Sequence, residues 1–232
     1  MQTPLPPGQV ECSDFPRFGL LAFANRFPFD PESKTVAIGG DVLRPITLEN
    51  VTALLPRVEQ VSDFHCVTTW SRRSLHWSGI RFSDFYTQVV QPQAMPDGEV
   101  QFVVLRAQDG YRSILPLGDM LAHDVLLADQ LDGQPLSVVH GAPLRLVAPA
   151  HYAYKSVKHI RSLEFVVSSH RFRAVGLQFM AHPRARVAFE ERGVYVPAWV
   201  LRTAYRSVIG HVRRKFAIAD AERASKKSTD TQ

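Results

Sequence analysis

Up to about residue 196 the sequence holds only short apolar runs, each soon broken by proline, glycine or a polar cluster, and no single period lasts. A chain of this kind has to bury its core with many small pieces. Residues 35–40 read as a strand ending on Gly39-Gly40. Residues 48–55 read as a helix with Thr47 as cap, Glu49 in its first turn and Pro56 closing it, and 57–70 as strand. Helical spacing returns at 83–90, with Ser83 as cap and Pro92 as stop. Strands at 100–106 and 113–115 flank an Asp109-Gly110 turn, a hairpin signal. Residues 120–131 fit either type, 144–148 reads as a buried strand, 154–160 as a short helix and 163–167 as strand. This alternation predicts an α+β domain with a mixed sheet and short helices rather than regular βαβ winding.

The flanks differ from this core. Residues 1–34 are rich in proline and phenylalanine without a period, and read as an extended arm packed on the body and carrying contacts. The core is assigned to 35–170 and a C-terminal extension to 171–232. Within the extension the clearest helix of the chain spans about 197–218. It sets Leu201, Tyr205, Val208, Val212 and Phe216 on one face, with Arg202, Arg206, Arg213 and Lys215 away from it. It reads as docked on the body, and its basic side also suits contact with an anionic membrane surface. From about 221 the tail is polar and charged and reads as disordered.

With 232 residues, 45% of them hydrophobic and 21% charged, the chain can bury a substantial core. Its net charge of +5 comes largely from residues 171–227, without the stacking aromatics or motif that would point to a nucleic acid partner. No apolar run approaches the roughly 20 residues of a membrane helix. The first ten residues have no basic residue and prolines at 4, 6 and 7, unlike a secretory signal, which leads to an expected cytoplasmic location.

Phosphate-loop, dinucleotide-glycine, paired-histidine and Cys-x-x-Cys patterns are absent. Chemistry therefore falls to two polar segments, 63–77 and 140–159. In the first, Cys66 stands where an apolar run gives way to Thr68-Thr69-Trp70-Ser71-Arg72-Arg73, so its sulfur lies at an accessible strand end. With only Cys12 as a second cysteine there is no disulfide framework, and Cys66 is a buried small hydrophobe, a nucleophile served by His65 or His140, or a metal ligand. In the second segment, Lys155-Ser156-Val157-Lys158 sets two ammonium groups and a hydroxyl within about one helical turn, a group able to hold a phosphate.

Taken together, Phe64-His65-Cys66-Val67-Thr68-Thr69-Trp70-Ser71, His140-Gly141-Ala142-Pro143-Leu144-Arg145-Leu146-Val147 and Tyr154-Lys155-Ser156-Val157-Lys158 resemble the molybdopterin-binding domain of the sulfite oxidase family. The resemblance runs from about residue 15 to 168 and is closest to bacterial single-domain members related to the methionine sulfoxide reductase catalytic subunit. It implies the fold of that domain and a molybdenum–molybdopterin cofactor. Cys66 would be the metal ligand and catalytic residue, His140 and Arg145 pterin contacts, and Lys155, Ser156 and Lys158 the phosphate site. Asn25, Thr68 and Asp109 would be further cofactor contacts. A high-valent metal takes a deprotonated thiol, so the ligand role needs no separate base beside Cys66.

The expected activity is oxygen-atom transfer or two-electron redox chemistry on a small substrate, a sulfoxide or related oxyanion, with reduction favoured over oxidation. Electrons would be exchanged with a separate redox partner protein, with no heme in this chain. The absence of the second β domain that pairs longer members implies a monomer. Sulfite-oxidising members carry an arginine where Ala24 stands, and their run after the cysteine differs, which argues against sulfite unless Arg72 and Arg73 supply the cations. The reading of another class is a non-catalytic pterin-binding or partner-binding module that uses the basic helix.

Overall fold

The computed structural model describes residues 4–176 and 181–229. Two sheets carry the fold. The first contains β1 (Val10–Glu11), β4 (Val58–His65), β5 (Trp70–Arg81), β8 (Leu126–Leu131), β9 (Gln134–Pro135) and β10 (Arg145–Val147). Its path is β1-β5-β8-β10, with β4 added to β5 and β9 to β8. The second, in the order β3-β2-β11-β6-β7, is made of β2 (Val36–Gly40), β3 (Ile46–Leu48), β6 (Phe102–Ala107), β7 (Arg112–Pro116) and β11 (Ile160–Val166). Both sheets mix directions: β1 runs parallel to β5, and β11 parallel to β2 but antiparallel to β6. The α+β architecture with short helices is the one expected from the broken periodicity.

The main core lies between the sheets, where Val36, Ile38, Leu105, Leu163 and Phe165 of one meet Ile80, Leu127 and Leu146 of the other. Because side chains alternate across a strand, Leu126 and Val147, one position away, face a second core with Trp77 and Leu75. The first sheet is thus covered on both faces, and its far face is closed partly by Phe15 of the arm.

Several boundaries differ from expectation. The strand read at 57–70 is a hairpin, β4 then β5, with Cys66 opening the turn between them. Residues 46–48 join β2 as β3 instead of starting a helix at 48, leaving only a 3-10 turn at Val51–Ala53, because the ladder Val36–Leu48 takes Thr47 and Leu48 into the sheet. Ser83 does not cap: α1 (Phe82–Phe85) starts earlier and continues through a π-helical stretch (Tyr86–Val90) into α2 (Gln91–Ala94). Pro92 sits at the start of α2, where the wider π turn before it relaxes the demand for its missing N–H. Residues 117–131 resolve into α3 (Leu117–Met120) and β8. The helix read at 154–160 shrinks to a 3-10 turn at Ala153–Lys155, because Ser156 leaves helical geometry with ψ 73°.

The last helix, α4 (Ala198–Thr229), runs well past residue 218 and through much of the stretch read as disordered. That stretch is rich in alanine, glutamate, arginine and lysine, all good helix formers, and Arg223 lies 4.7 Å over the Phe27 ring. Leu201, Val212 and Phe216 are buried as the apolar face predicts, but Val208 is 43% exposed. Among the described residues no helix is long and apolar enough to cross a membrane.

Candidate functional site

The turn that carries Cys66 is held from several directions. Its Cys66 N–H donates to the Trp70 carbonyl (2.8 Å), and the Thr69 N–H to the Cys66 carbonyl (3.1 Å). Thr69 adopts φ +80°, a left-handed conformation that costs a β-branched residue energy and persists only where the surroundings over-determine it. They do so here: the Gln9 side chain donates to the Cys66 carbonyl (3.1 Å), and the buried Arg192 donates to the Val67 carbonyl (2.5 Å). Arg192 also binds the Pro7 carbonyl and Glu190. Arm and extension therefore meet behind the turn.

Cys66 lines a cavity of about 270 Å³ together with Thr68, Asp109, Ser156 and Lys158. Its Sγ lies 3.1 Å from Thr68 Oγ1. Burial pushes the thiol pKa up, and the Thr68 contact and the charges of Arg192 and Lys158 pull against that rise. Among the described residues no histidine is hydrogen-bonded to it: His65 Nδ1 pairs with Ser71 Oγ (2.8 Å), and His140 Nε2 donates to the Phe15 carbonyl (3.0 Å). The nucleophile reading, which needs one of those rings as base, loses its geometry.

Two of the five expected cavity residues bring charge. Burial draws the Lys158 ammonium down to about 7, and its Nζ donates to the Val139 carbonyl (2.7 Å). Asp109 is pushed up by burial, against a hydrogen bond from the Tyr111 N–H (2.9 Å) and the charges of Lys158, Arg17 and Arg26. Ser156 Oγ accepts from the Ala148 N–H (3.2 Å). His159 also lines the cavity, held neutral by burial at about 3.

Four expected residues lie elsewhere. Lys155 turns away, and its Nζ donates to the carbonyls of Ile114 (2.8 Å) and Pro183 (2.6 Å). The two lysines diverge because the 3-10 turn ends between them. Arg145 is fully buried beneath the cavity wall, its guanidinium over Phe64 (5.3 Å) and Trp77 (4.7 Å) and donating to the His140 carbonyl (2.8 Å). His140 stacks on Phe15, with centroids 4.8 Å apart, and so touches the cavity only through that ring. Asn25 is exposed and lines a separate pocket with Lys215 and Glu222 of α4. Arg72 and Arg73 are not among the lining residues, and Arg73 pairs with Glu11 (3.2 Å).

Other lining residues had not been singled out for this role. Arg17 reaches the cavity from the arm and donates to the carbonyls of Ala24, Phe23 and Arg26 while pairing with Asp220 (2.8 Å). From α4 come Tyr205 and Phe216. The apolar face of that helix and the contact-bearing character of the arm were legible signals for these three, but Arg192 had none.

A family model described as the oxidoreductase molybdopterin binding domain matches residues 24–172, and the chain belongs to that family. It is 36% identical over 170 residues to the uncharacterized oxidoreductase YuiH of Bacillus subtilis (strain 168), across 72% of this chain and 81% of that protein. It is 28% identical over 148 residues to the protein-methionine-sulfoxide reductase catalytic subunit MsrP of Xanthomonas axonopodis pv. citri (strain 306), across 57% of this chain. There the chain spans only 44% of the relative's length. Among solved structures, the sulfane dehydrogenase SoxCD from Paracoccus pantotrophus superposes with a TM-score of 0.51 at 19% identity, covering 58% of this chain and 38% of that one. The chain is a molybdopterin-dependent oxidoreductase with the sulfite oxidase-type fold, and the non-catalytic module reading gives way.

The residues present suit such a cofactor. Arg145 is a buried cation and Lys158 a half-buried one, and among the described residues the hydrogen bonds of both go to backbone carbonyls. Burial draws Arg145 down to about 9, the mark of a charge without a compensating anion. Trp70 lines the cavity, and its buried indole N–H finds no acceptor among the described residues. A thiol, the Lys158 amine and an orphaned donor in one cavity, with the Arg145 guanidinium behind its wall, match a thiolate-bound metal on an anionic organic group.

Proposed function

We propose that this chain uses a molybdenum–molybdopterin cofactor to transfer an oxygen atom to or from a small substrate, with Cys66 as the thiolate ligand. The observation that carries this reading is the meeting, in one cavity, of the pinned Cys66 turn with Ser156 and Lys158, more than eighty positions away in the chain. When bound, the cofactor supplies the two-electron chemistry. The chain's own part is to present a sulfur at a rigid strand end, with Thr68 beside it, and to offer Lys158 to the anionic end. Arg145 backs the wall from beneath, and His140 and Phe15 fix the arm over the site. Of the other cofactor contacts implied by the resemblance, Asp109 is supported by its position in the cavity lining, while Lys155 and Asn25 lie away from it.

The substrate class we favour is a sulfoxide. Its reduction consumes two electrons and two protons and releases a thioether and water, the electrons coming from a separate one-electron carrier protein. Support comes from the composition of the cavity, where the cations among the described residues are Arg17 and Lys158 and Arg17 is already paired. A small dianion such as sulfite needs converging, available cations. Ala24, at the position of the arginine of sulfite-oxidising members, is buried against Val212 and Phe216. The test is metal and cofactor analysis of the full chain purified from a host that makes the pterin. Close to one molybdenum per chain is expected, and less than about a tenth overturns the reading, since metal retention requires an intact ligand set.

A further inference from the structure

The outer side of the cavity is built from outside the residues that the family model matches. Tyr205 and Phe216, both on α4, line it and lie about 16 Å apart along the helix at the usual rise per residue. Phe216 is only 3% exposed, stacks parallel on Phe18 of the arm (6.5 Å) and lies under the Arg17 guanidinium (4.9 Å). The helix is fastened along its length by ion pairs: Arg202 with Glu190 (3.3 Å), Arg213 with Asp14, and Asp220 with Arg17 (2.8 Å). At Gly8, φ +70°, an added Cβ would come within 2.3 Å of Arg202 Cδ, so arm and helix are in close contact there too. Ala24, packed on Phe216, completes the seam.

Of the two α4 residues that line the cavity, Phe216 is apolar and Tyr205 carries a hydroxyl. Tyr205 lines the same cavity as Cys66, and its phenol is an O–H donor at neutral pH.

Resting on the molybdenum reading of Cys66, we propose that α4 is a fixed, size-selecting wall of the active site, with the Tyr205 hydroxyl donating to the substrate's oxygen. The enzyme then takes small sulfoxides with an apolar body and excludes sulfoxides carried on a polypeptide.

The first test is steady-state kinetics of the loaded full chain, with reduced viologen as electron donor. Dimethyl sulfoxide and methyl phenyl sulfoxide are expected to exceed a methionine-sulfoxide peptide at least tenfold in kcat/KM. Tyr205→Phe should raise KM for the small sulfoxides severalfold while keeping the preference for size. Tyr205→Ala should in addition narrow that preference, with molybdenum content unchanged in both. Equal use of peptide and small sulfoxide, or an unaltered preference in Tyr205→Ala, overturns the wall. No sulfoxide turnover by molybdenum-loaded protein overturns the substrate class.

The second test needs no cofactor. In a Cys12→Ser background, cofactor-free protein should react at Cys66 with iodoacetamide at least tenfold faster than with a bulky maleimide. Tyr205→Ala and Asp220→Ala should each shrink that ratio. A ratio near one in the parent, or one unmoved by both substitutions, overturns the wall whatever the metal content. Failure of the molybdenum reading appears instead as metal-poor protein with the ratio intact.

Discussion

The inner floor of the cavity and its outer wall are built on different physics. The floor, made of the Cys66 turn and residues 142–159, is held by backbone hydrogen bonds and buried cations: Ile160 donates to the Leu144 carbonyl, Leu146 to the Val157 carbonyl, and Arg145 lies between two aromatic rings. The wall, made of arm and α4, is held by ion pairs that run from largely buried, as Arg17–Asp220, to exposed, as Arg213–Asp14, and by a stack of rings. A floor of that kind fixes atoms for chemistry. A wall of that kind can vary without disturbing them, since exposed pairs each contribute only about 0–1 kcal/mol. The division predicts that changes in the floor abolish or unload the enzyme, whereas changes in the wall redirect it.

The largest effect is expected at Cys66. Cys66→Ser should keep the circular dichroism spectrum while activity falls more than roughly 100-fold and molybdenum content drops with it; full activity would move the ligand elsewhere. Next comes Lys158→Met, where the two states should respond with opposite signs. In cofactor-free protein the change removes a half-buried amine whose charged form the fold disfavours, and so raises the melting temperature. In loaded protein it should weaken cofactor retention by roughly tenfold or more. A lysine that is merely structural would move both in the same direction.

The same lysines set a pH dependence. Lys155 and Lys158 both sit near 7 in the fold, well below the ordinary 10.5 of a free lysine. A lowered folded-state value means that the native state prefers the neutral amine, so stability is highest above about 10.5 and is lost as pH falls toward about 7. Differential scanning fluorimetry of cofactor-free protein should therefore show a melting temperature that rises from pH 7 to 9. Bound cofactor, whose anion stabilises the charged Lys158, should flatten that rise. Identical slopes in the two states would separate Lys158 from the anion site. The smallest effect is in the wall: Asp14→Ala, which removes the exposed pair with Arg213, should cost at most about 1 kcal/mol, roughly 2–4 °C in a chain of this size, with molybdenum content unchanged. A loss of metal in that variant would erase the distinction between floor and wall.

How much of this was legible in the sequence depends on the range of the interactions. The hairpin around Asp109-Gly110 and the strand ends near Cys66 follow from local turn chemistry and period, and the structure has them. The helix expected at 48–55 failed because pairing of β3 with β2 outweighed a local cap signal. Lys155 and Lys158 look equivalent at three positions apart, and only the end of the 3-10 turn at Ser156 sends one to the cavity and the other to the Ile114 and Pro183 carbonyls. Arg192, buried and bonded to Pro7 and Val67, had no local signal at all, since both partners come from distant parts of the chain.

By itself, the sequence determined the α+β class, the thiol at a strand end and the cation-bearing segment, because period, turn residues and motif spacing are properties of neighbours along the chain. Only the tertiary structure decided which of those groups share a cavity, that Asn25 and Lys155 face other ways, and that α4 closes the site with Tyr205 and Phe216. Those outcomes depend on sheet register and on where arm and helix dock. Such contacts join residues hundreds of positions apart, as Arg17 does with Asp220, and no local pattern encodes them.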